Sequence, residues 1–261
     1  MPMWLNENRG TALMKAILIA LSLLGLAGCI TIGDAGVPIA VETVAAPRPA
    51  AERTAIIVLP GFGSDTKDMK KHGVAAAIQE VWPEADVLLA DATFAYYNKG
   101  NLIERLHGEI ISPALRAGYK KIWLAGASLG GMGALLYEQQ HPDTVTGIVL
   151  FAPFVGDRSL LQEISAAGGP RAWNPGALPA EVNSDNYQRQ VWKMVKGWAE
   201  APQRARRVWL ACGVEDRLLA GARLMAKALP QDRFVELPGG HTWEAWINGG
   251  KTVFTRIRNE S

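Results

Sequence analysis

The chain predicts an α/β domain: a mainly parallel sheet with helices on both faces and a small helical cap inserted late. Three observations predict it. Short, unbroken apolar runs rich in β-branched residues recur from Thr54 onward, as strands buried on both faces require. Amphipathic helical stretches separate most of them, which makes the connections crossovers between parallel strands. The rhythm breaks once, for about fifty residues after Pro153, where a run ends.

Taken in chain order, the first feature is Ala16–Leu26, apolar apart from Ser22 and Gly25 and preceded by Lys15. Eleven residues rise only ~17 Å as a helix, too little to span a bilayer, so the segment reads as a signal-peptide core. Met14-Lys15 is a natural start for such a signal, which leaves residues 1–13 as an upstream extension or a long n-region. Leu26-Ala27-Gly28-Cys29 follows at once and resembles the lipobox of bacterial lipoproteins. That resemblance implies cleavage after residue 28, lipidation of Cys29 and attachment to a membrane. Ile30, rather than Asp, after the cysteine implies the outer membrane, facing the periplasm, by the sorting rule of many Gram-negative lipoproteins. Residues 29–52 are rich in Ala, Pro and Val without helical periodicity, and are expected to be a flexible tether with a short strand at Ile39–Val44.

The folded domain is expected over 53–261. Its strand candidates are Ala55–Leu59, Asp86–Ala90, Lys121–Ala125, Gly147–Phe151, Val208–Cys212 and Arg233–Leu237. In Asn101–Ala117, apolar Ile103, Leu106, Ile110, Ala114 and Leu115 recur at helical spacing, with Asn101 and Glu104 placed as a capping pair and Pro113 as a kink. Residues 154–205 hold Trp173, Trp192 and Trp198, a Gly-Gly-Pro turn and a helical candidate at Asn186–Glu200. Leaving at the carboxyl end of a strand, where open α/β sheets bind ligands, this insertion is expected to be a cap.

Composition narrows the function. With 27 basic and 25 acidic residues and no basic block, nothing points to nucleic acid. No His/Cys/Asp/Glu grouping has metal-ligand spacing and no phosphate-binding glycine motif is present, so no metal or cofactor is expected. With Cys29 lipidated, Cys212 has no disulfide partner and reads as a small core residue.

The chemistry starts at Gly126-Ala127-Ser128-Leu129-Gly130, between the run Lys121–Ala125 and the helical Met132–Gln140. Strand, tight turn and helix place a serine hydroxyl at an apex above the sheet edge, and the Leu129 N–H points where an oxyanion would form. A serine needs a base. Of four histidines, His72 lies in a Lys-rich segment, His107 on the exposed side of a helix, and His141 at the end of the nucleophile helix. His241, in Pro238-Gly239-Gly240-His241-Thr242-Trp243 after the last strand, is presented on a loop.

These residues, in this order, resemble the α/β-hydrolase family, and Gly-Gly-His-x-Trp resembles the loop of its esterase branches. The resemblance implies an acid after Val208–Cys212, hence Asp216, with Glu215 and Asp157 as competitors and a helix N-cap as the alternative role of Asp216. It implies a second oxyanion donor in Leu59-Pro60-Gly61-Phe62-Gly63-Ser64, by position the Phe62 N–H. Gly61, Tyr96, Trp173 and Trp243 are candidate pocket residues, with Asp91 and Tyr97 beside Tyr96 at a strand's carboxyl end. The implied activity is that of a membrane-tethered serine hydrolase cleaving small-molecule or lipid carboxylic esters through an acyl-enzyme. Thioester, lipid-acyl or peptide hydrolysis by the same residues, and a noncatalytic binding lipoprotein, are the alternatives. A scaffold role would expose an apolar patch around Trp173 or Trp192.

Overall fold

A computed structural model describes residues 31–260. The signal-peptide segment and Cys29 lie outside the described residues. Seven strands form one sheet in the order β1-β3-β2-β4-β5-β6-β7, with β1 (Val41–Val44) antiparallel at one edge and all others parallel. The parallel strands are β2 (Thr54–Leu59), β3 (Ala85–Ala90), β4 (Lys121–Ala127), β5 (Gly147–Phe151), β6 (Val208–Gly213) and β7 (Phe234–Leu237). Every residue of β2, β5 and β6 is buried, which is why these runs show no alternation in sequence. Two apolar layers flank the sheet. One is centred on Leu59, Leu124, Leu150 and the nucleophile helix α6 (Leu129–Gln140), the other on Ile56, Val149 and the terminal helix α11 (Trp243–Glu260).

The remaining helices are α1 (Thr66–Lys71), α2 (Val74–Val81), α3 (Phe94–Lys99), α4 (Leu102–Arg105), α5 (Ser112–Arg116), α7 (Arg158–Ala166), α8 (Tyr187–Trp198), α9 (Pro202–Ala205) and α10 (Leu219–Ala226). β2 pairs with β3 on one side and β4 on the other, so the strand order reverses between β2 and β4. A crevice therefore opens outside their carboxyl ends, where Pro60-Gly61-Phe62 and Ser128 emerge.

Five expectations change. Residues 31–48 are not a flexible tether but a strap fixed to the domain. Ala35 and Ile39 are buried, β1 pairs with Val87–Ala90 of β3, and the Arg48 N–H donates to the Pro83 carbonyl. Most polar ties along the strap engage its own backbone groups, with donors or acceptors on Tyr96, Arg105, Glu109 and Asp86. Such ties leave no side-chain periodicity in the strap. The stretch 102–116 is helical throughout, but its middle, Leu106–Ile111, widens into a π-helical segment that ends just before Pro113. The Asn101 side chain does not cap α4; its Nδ2 donates instead to the Ala35 carbonyl at 3.5 Å.

His107 is not solvated. Its Nδ1 is 2.9 Å from the Tyr137 hydroxyl, its Nε2 is 3.1 Å from Ser112 Oγ, and its ring stacks flat on His141 with centroids 4.2 Å apart. Nor do Trp173 and Trp192 form an exposed patch. Both are fully buried, with indole N–H groups donating to Glu163 and to the Val155 carbonyl. Among the described residues, no helix is long and apolar enough to cross a membrane.

Candidate active site

Ser128 stands between β4 and α6 with φ 53° and ψ −111°, a conformation L-residues rarely adopt, at a cost of ~1–3 kcal/mol. The surroundings hold it there. Its N–H donates to the Phe151 carbonyl, and its own carbonyl accepts from Met132 and Phe154. The flanking glycines permit close backbone contact. A Cβ on Gly126 would lie 2.2 Å from the Gly130 backbone, and one on Gly130 would lie 2.4 Å from the Leu59 carbonyl oxygen. Gly130 thereby brings the Pro60–Phe62 loop against the start of α6. Among the described residues, neither the Phe62 nor the Leu129 N–H donates to a backbone acceptor, which leaves both available to a bound group.

Asp216 and His241 meet across the ends of β6 and β7. His241 Nδ1 is 2.8 and 3.0 Å from the two carboxylate oxygens of Asp216, whose side chain is entirely buried. The approach of the two loops is backbone against backbone, since a Cβ on Gly213 would lie 2.0 Å from the Gly239 carbonyl oxygen. Asp216 also accepts the Leu218 N–H at 2.8 Å, so it orders the turn into α10 while facing the imidazole. Its competitors point elsewhere: Glu215 is exposed, and the Asp157 carboxylate accepts from Gln188 Nε2.

The imidazole is braced edge-on by Trp246, with centroids 5.0 Å apart. A methyl group on Gly61 would lie 3.7 Å from both Ser128 Cβ and the tip of the Trp246 ring. Gly61 thus packs beside both Ser128 and Trp246, and Trp246 in turn contacts the His241 ring. Ser128 Oγ makes no hydrogen bond to the imidazole here.

Ser128, Leu129 and Phe62 line a cleft of about 1710 Å³. One wall comes from α3 and α4, through Phe94, Tyr97 and Leu102; the opposite wall comes from the 154–205 insertion, through Phe154, Tyr187 and Gln188. None of the four expected pocket residues lines the cleft: Gly61 packs instead beside Ser128 and Trp246. Tyr96 turns inward, and its hydroxyl donates to the Val37 carbonyl, because successive residues on a helix face ~100° apart. Trp173 is buried within the insertion. Trp243 lies behind the site, stacked on His72 and edge-on to Trp246. Asp91 accepts from the Thr66 N–H and Oγ1 and secures α1. Of the Tyr96–Tyr97 pair expected near the pocket, Tyr97 is the one that lines the cleft; the residue sequence reasoning missed is Trp246, one helical turn beyond Trp243.

Tyr97 carries an unusual load. Its hydroxyl has no hydrogen-bond partner and lies against Gly133, where burial holds the phenol well above its ordinary pKa. A buried hydroxyl without a partner costs ~1–3 kcal/mol. Tyr97→Phe is therefore expected to raise the melting temperature by ~2–4 °C, as thermal denaturation would show. A lower melting temperature would mean that the hydroxyl is satisfied in solution.

Among the described residues, no group of three or more His, Cys, Asp or Glu is placed to hold a metal ion. Burial pushes the Cys212 thiol up to about 12, which keeps it protonated and inert at neutral pH.

Comparison with known proteins agrees with this fold. A family model described as "Putative esterase" matches residues 109–249. The fold is similar to that of Est1E from Butyrivibrio proteoclasticus, with TM-score 0.57 and 16% identity over 88% of this chain and 96% of that one. It is also similar to MPT51 from Mycobacterium tuberculosis, with TM-score 0.57 and 15% identity over 85% and 92%. S-formylglutathione hydrolase from Staphylococcus aureus aligns with TM-score 0.52 and 15% identity over 80% and 82%. Compared with curated protein sequences, the chain finds no match.

Proposed function

Since this chain belongs to the Esterase family and has the α/β-hydrolase fold, we propose that it is a serine carboxylesterase acting through an acyl-enzyme, tethered to a membrane by Cys29. The observation that carries the catalytic reading is the strained Ser128 apex opening into the cleft beside the buried Asp216–His241 pair. With Asp216 bound to Nδ1, the neutral imidazole keeps its proton there and turns the lone pair of Nε2 outward.

Substrate occupies the cleft at Ser128, and the hydrogen bond between the Ser128 hydroxyl and His241 forms in that complex. Catalytic hydrogen bonds that are absent without substrate often form only with it. Ser128 Oγ then attacks the ester carbon while His241 takes its proton. The Phe62 and Leu129 N–H groups receive the oxyanion, and the imidazolium protonates the departing alcohol. Water, deprotonated by His241, attacks the acyl-enzyme and releases the acid.

The test is covalent labelling with a fluorophosphonate. Wild type should label and Ser128→Ala should not; equal labelling of both would refute the assignment. Mass spectrometry of membrane-bound protein tests the tether, which requires acyl chains on an amino-terminal Cys29.

A further inference from the structure

The strap and the cleft share a rim. The Thr31 N–H donates to the Gly63 carbonyl at 3.0 Å, in the same loop that carries Phe62. The Ile32 carbonyl accepts the Ala95 N–H at 2.9 Å, at the first turn of α3, whose Phe94, Tyr97, Asn98 and Lys99 line the cleft. Phe62 and Phe94 meet edge to face with centroids 5.0 Å apart. The strap therefore begins at the mouth of the cleft, fixed to both its oxyanion loop and its wall.

Covalent geometry does the rest. Two peptide units separate Cys29 from Thr31, a reach of at most ~7 Å whatever their conformation. That is about the depth of one headgroup layer. Acyl chains on Cys29 would hold the cleft rim at the bilayer surface with no slack to turn away. The strap also presents two large apolar side chains to solvent, Ile32 (48% exposed) and Val37 (51% exposed), on the segment nearest that surface. The open cleft presents apolar Phe94, Leu102, Ile103, Met132, Leu136 and Phe154 in its lining, surfaces that suit an acyl chain.

We propose that the cleft opens onto the bilayer that anchors Cys29, and that its substrates are long-chain acyl esters drawn from that bilayer. This rests on the serine-esterase and lipid-anchor readings above and adds orientation and substrate class to them. The lipid's acyl–oxygen bond breaks, its acyl carbon passes to Ser128 Oγ and then to water, and the alcohol leaves carrying the proton. Ile32 and Val37 face the interface while the chain enters between Phe62, Phe94 and Phe154.

The experiment uses the full lipidated protein in phosphatidylcholine vesicles containing 4-methylumbelliferyl palmitate, with p-nitrophenyl acetate as the soluble ester. Inserting twenty Gly/Ser residues between Ile30 and Thr31 should lower palmitate turnover at least fivefold, because a longer linker dilutes the cleft away from the surface. Soluble-ester turnover should stay within twofold. The pair Ile32→Asp and Val37→Asp, both on exposed side chains, should lower palmitate turnover severalfold and leave the soluble ester alone. Palmitate turnover unchanged by the linker and by both aspartates overturns the proposal while leaving the esterase reading intact. Wild type that cleaves p-nitrophenyl acetate but not the vesicle-borne ester overturns it as well. Wild type inactive on both esters sinks the esterase reading itself, and absence of acyl mass on Cys29 removes the anchor.

Discussion

Ser128→Ala is expected to lower kcat for a short p-nitrophenyl ester by ~10⁴ or more, with little change in the melting temperature. Alanine removes only the oxygen, and the backbone bonds that hold the turn, to Phe151, Met132 and Phe154, do not involve it. The oxyanion donors and cleft walls also remain. What rate survives then measures the contribution of those donors and of binding, since water would have to attack the ester directly. A fall of less than tenfold, in protein free of wild type, would mean that another group attacks the ester and that the Ser128 turn is only a tight connection between β4 and α6.

Asp216→Asn should come next in size, with kcat reduced by ~10³–10⁴ and KM nearly unchanged, since the residue lies behind the imidazole and away from the cleft. The amide is nearly isosteric and its oxygen can still accept the Leu218 N–H now bound at 2.8 Å. In that orientation the amide presents N–H to His241 Nδ1, which must then accept. The proton moves to Nε2, and the nitrogen facing Ser128 loses its lone pair. Steady-state kinetics beside a thermal melt separates the two roles of Asp216. A variant that melts normally and has lost kcat shows the carboxylate acting through His241, whereas a variant that retains kcat and melts early shows a turn-forming residue only.

How much of this was legible beforehand divides along physical lines. The strands could be read because burial on both faces forces unbroken apolar runs, and β2, β5 and β6 match their runs to within a residue at each end. The loops that carry Ser128, Asp216 and His241 could be read because tight turns and backbone contacts demand glycine beside them, as at Gly126, Gly130 and Gly213. The cleft walls could not. Whether Tyr96 or Tyr97 faces the cleft depends on the rotation of a six-residue helix, and Trp173 was drawn inward by Glu163. The strap was illegible for a different reason. Its Ala- and Pro-rich composition is that of a linker, and much of its attachment runs through backbone groups that every sequence possesses. His107 was misread because an amphipathic pattern shows which face is polar, not whether a neighbouring ring covers it.

The antiparallel pairing of β1 has a practical consequence for anyone producing this protein. A shortened chain starting at Arg53, the boundary its composition suggests, would strip the cover from Val87–Ala90 and leave those backbone groups without their strand neighbour. Bare, apolar borders of this kind recruit other copies of themselves. Such a truncation should therefore precipitate or form ladders on size-exclusion chromatography, while a chain starting at Thr31 should elute as a discrete species.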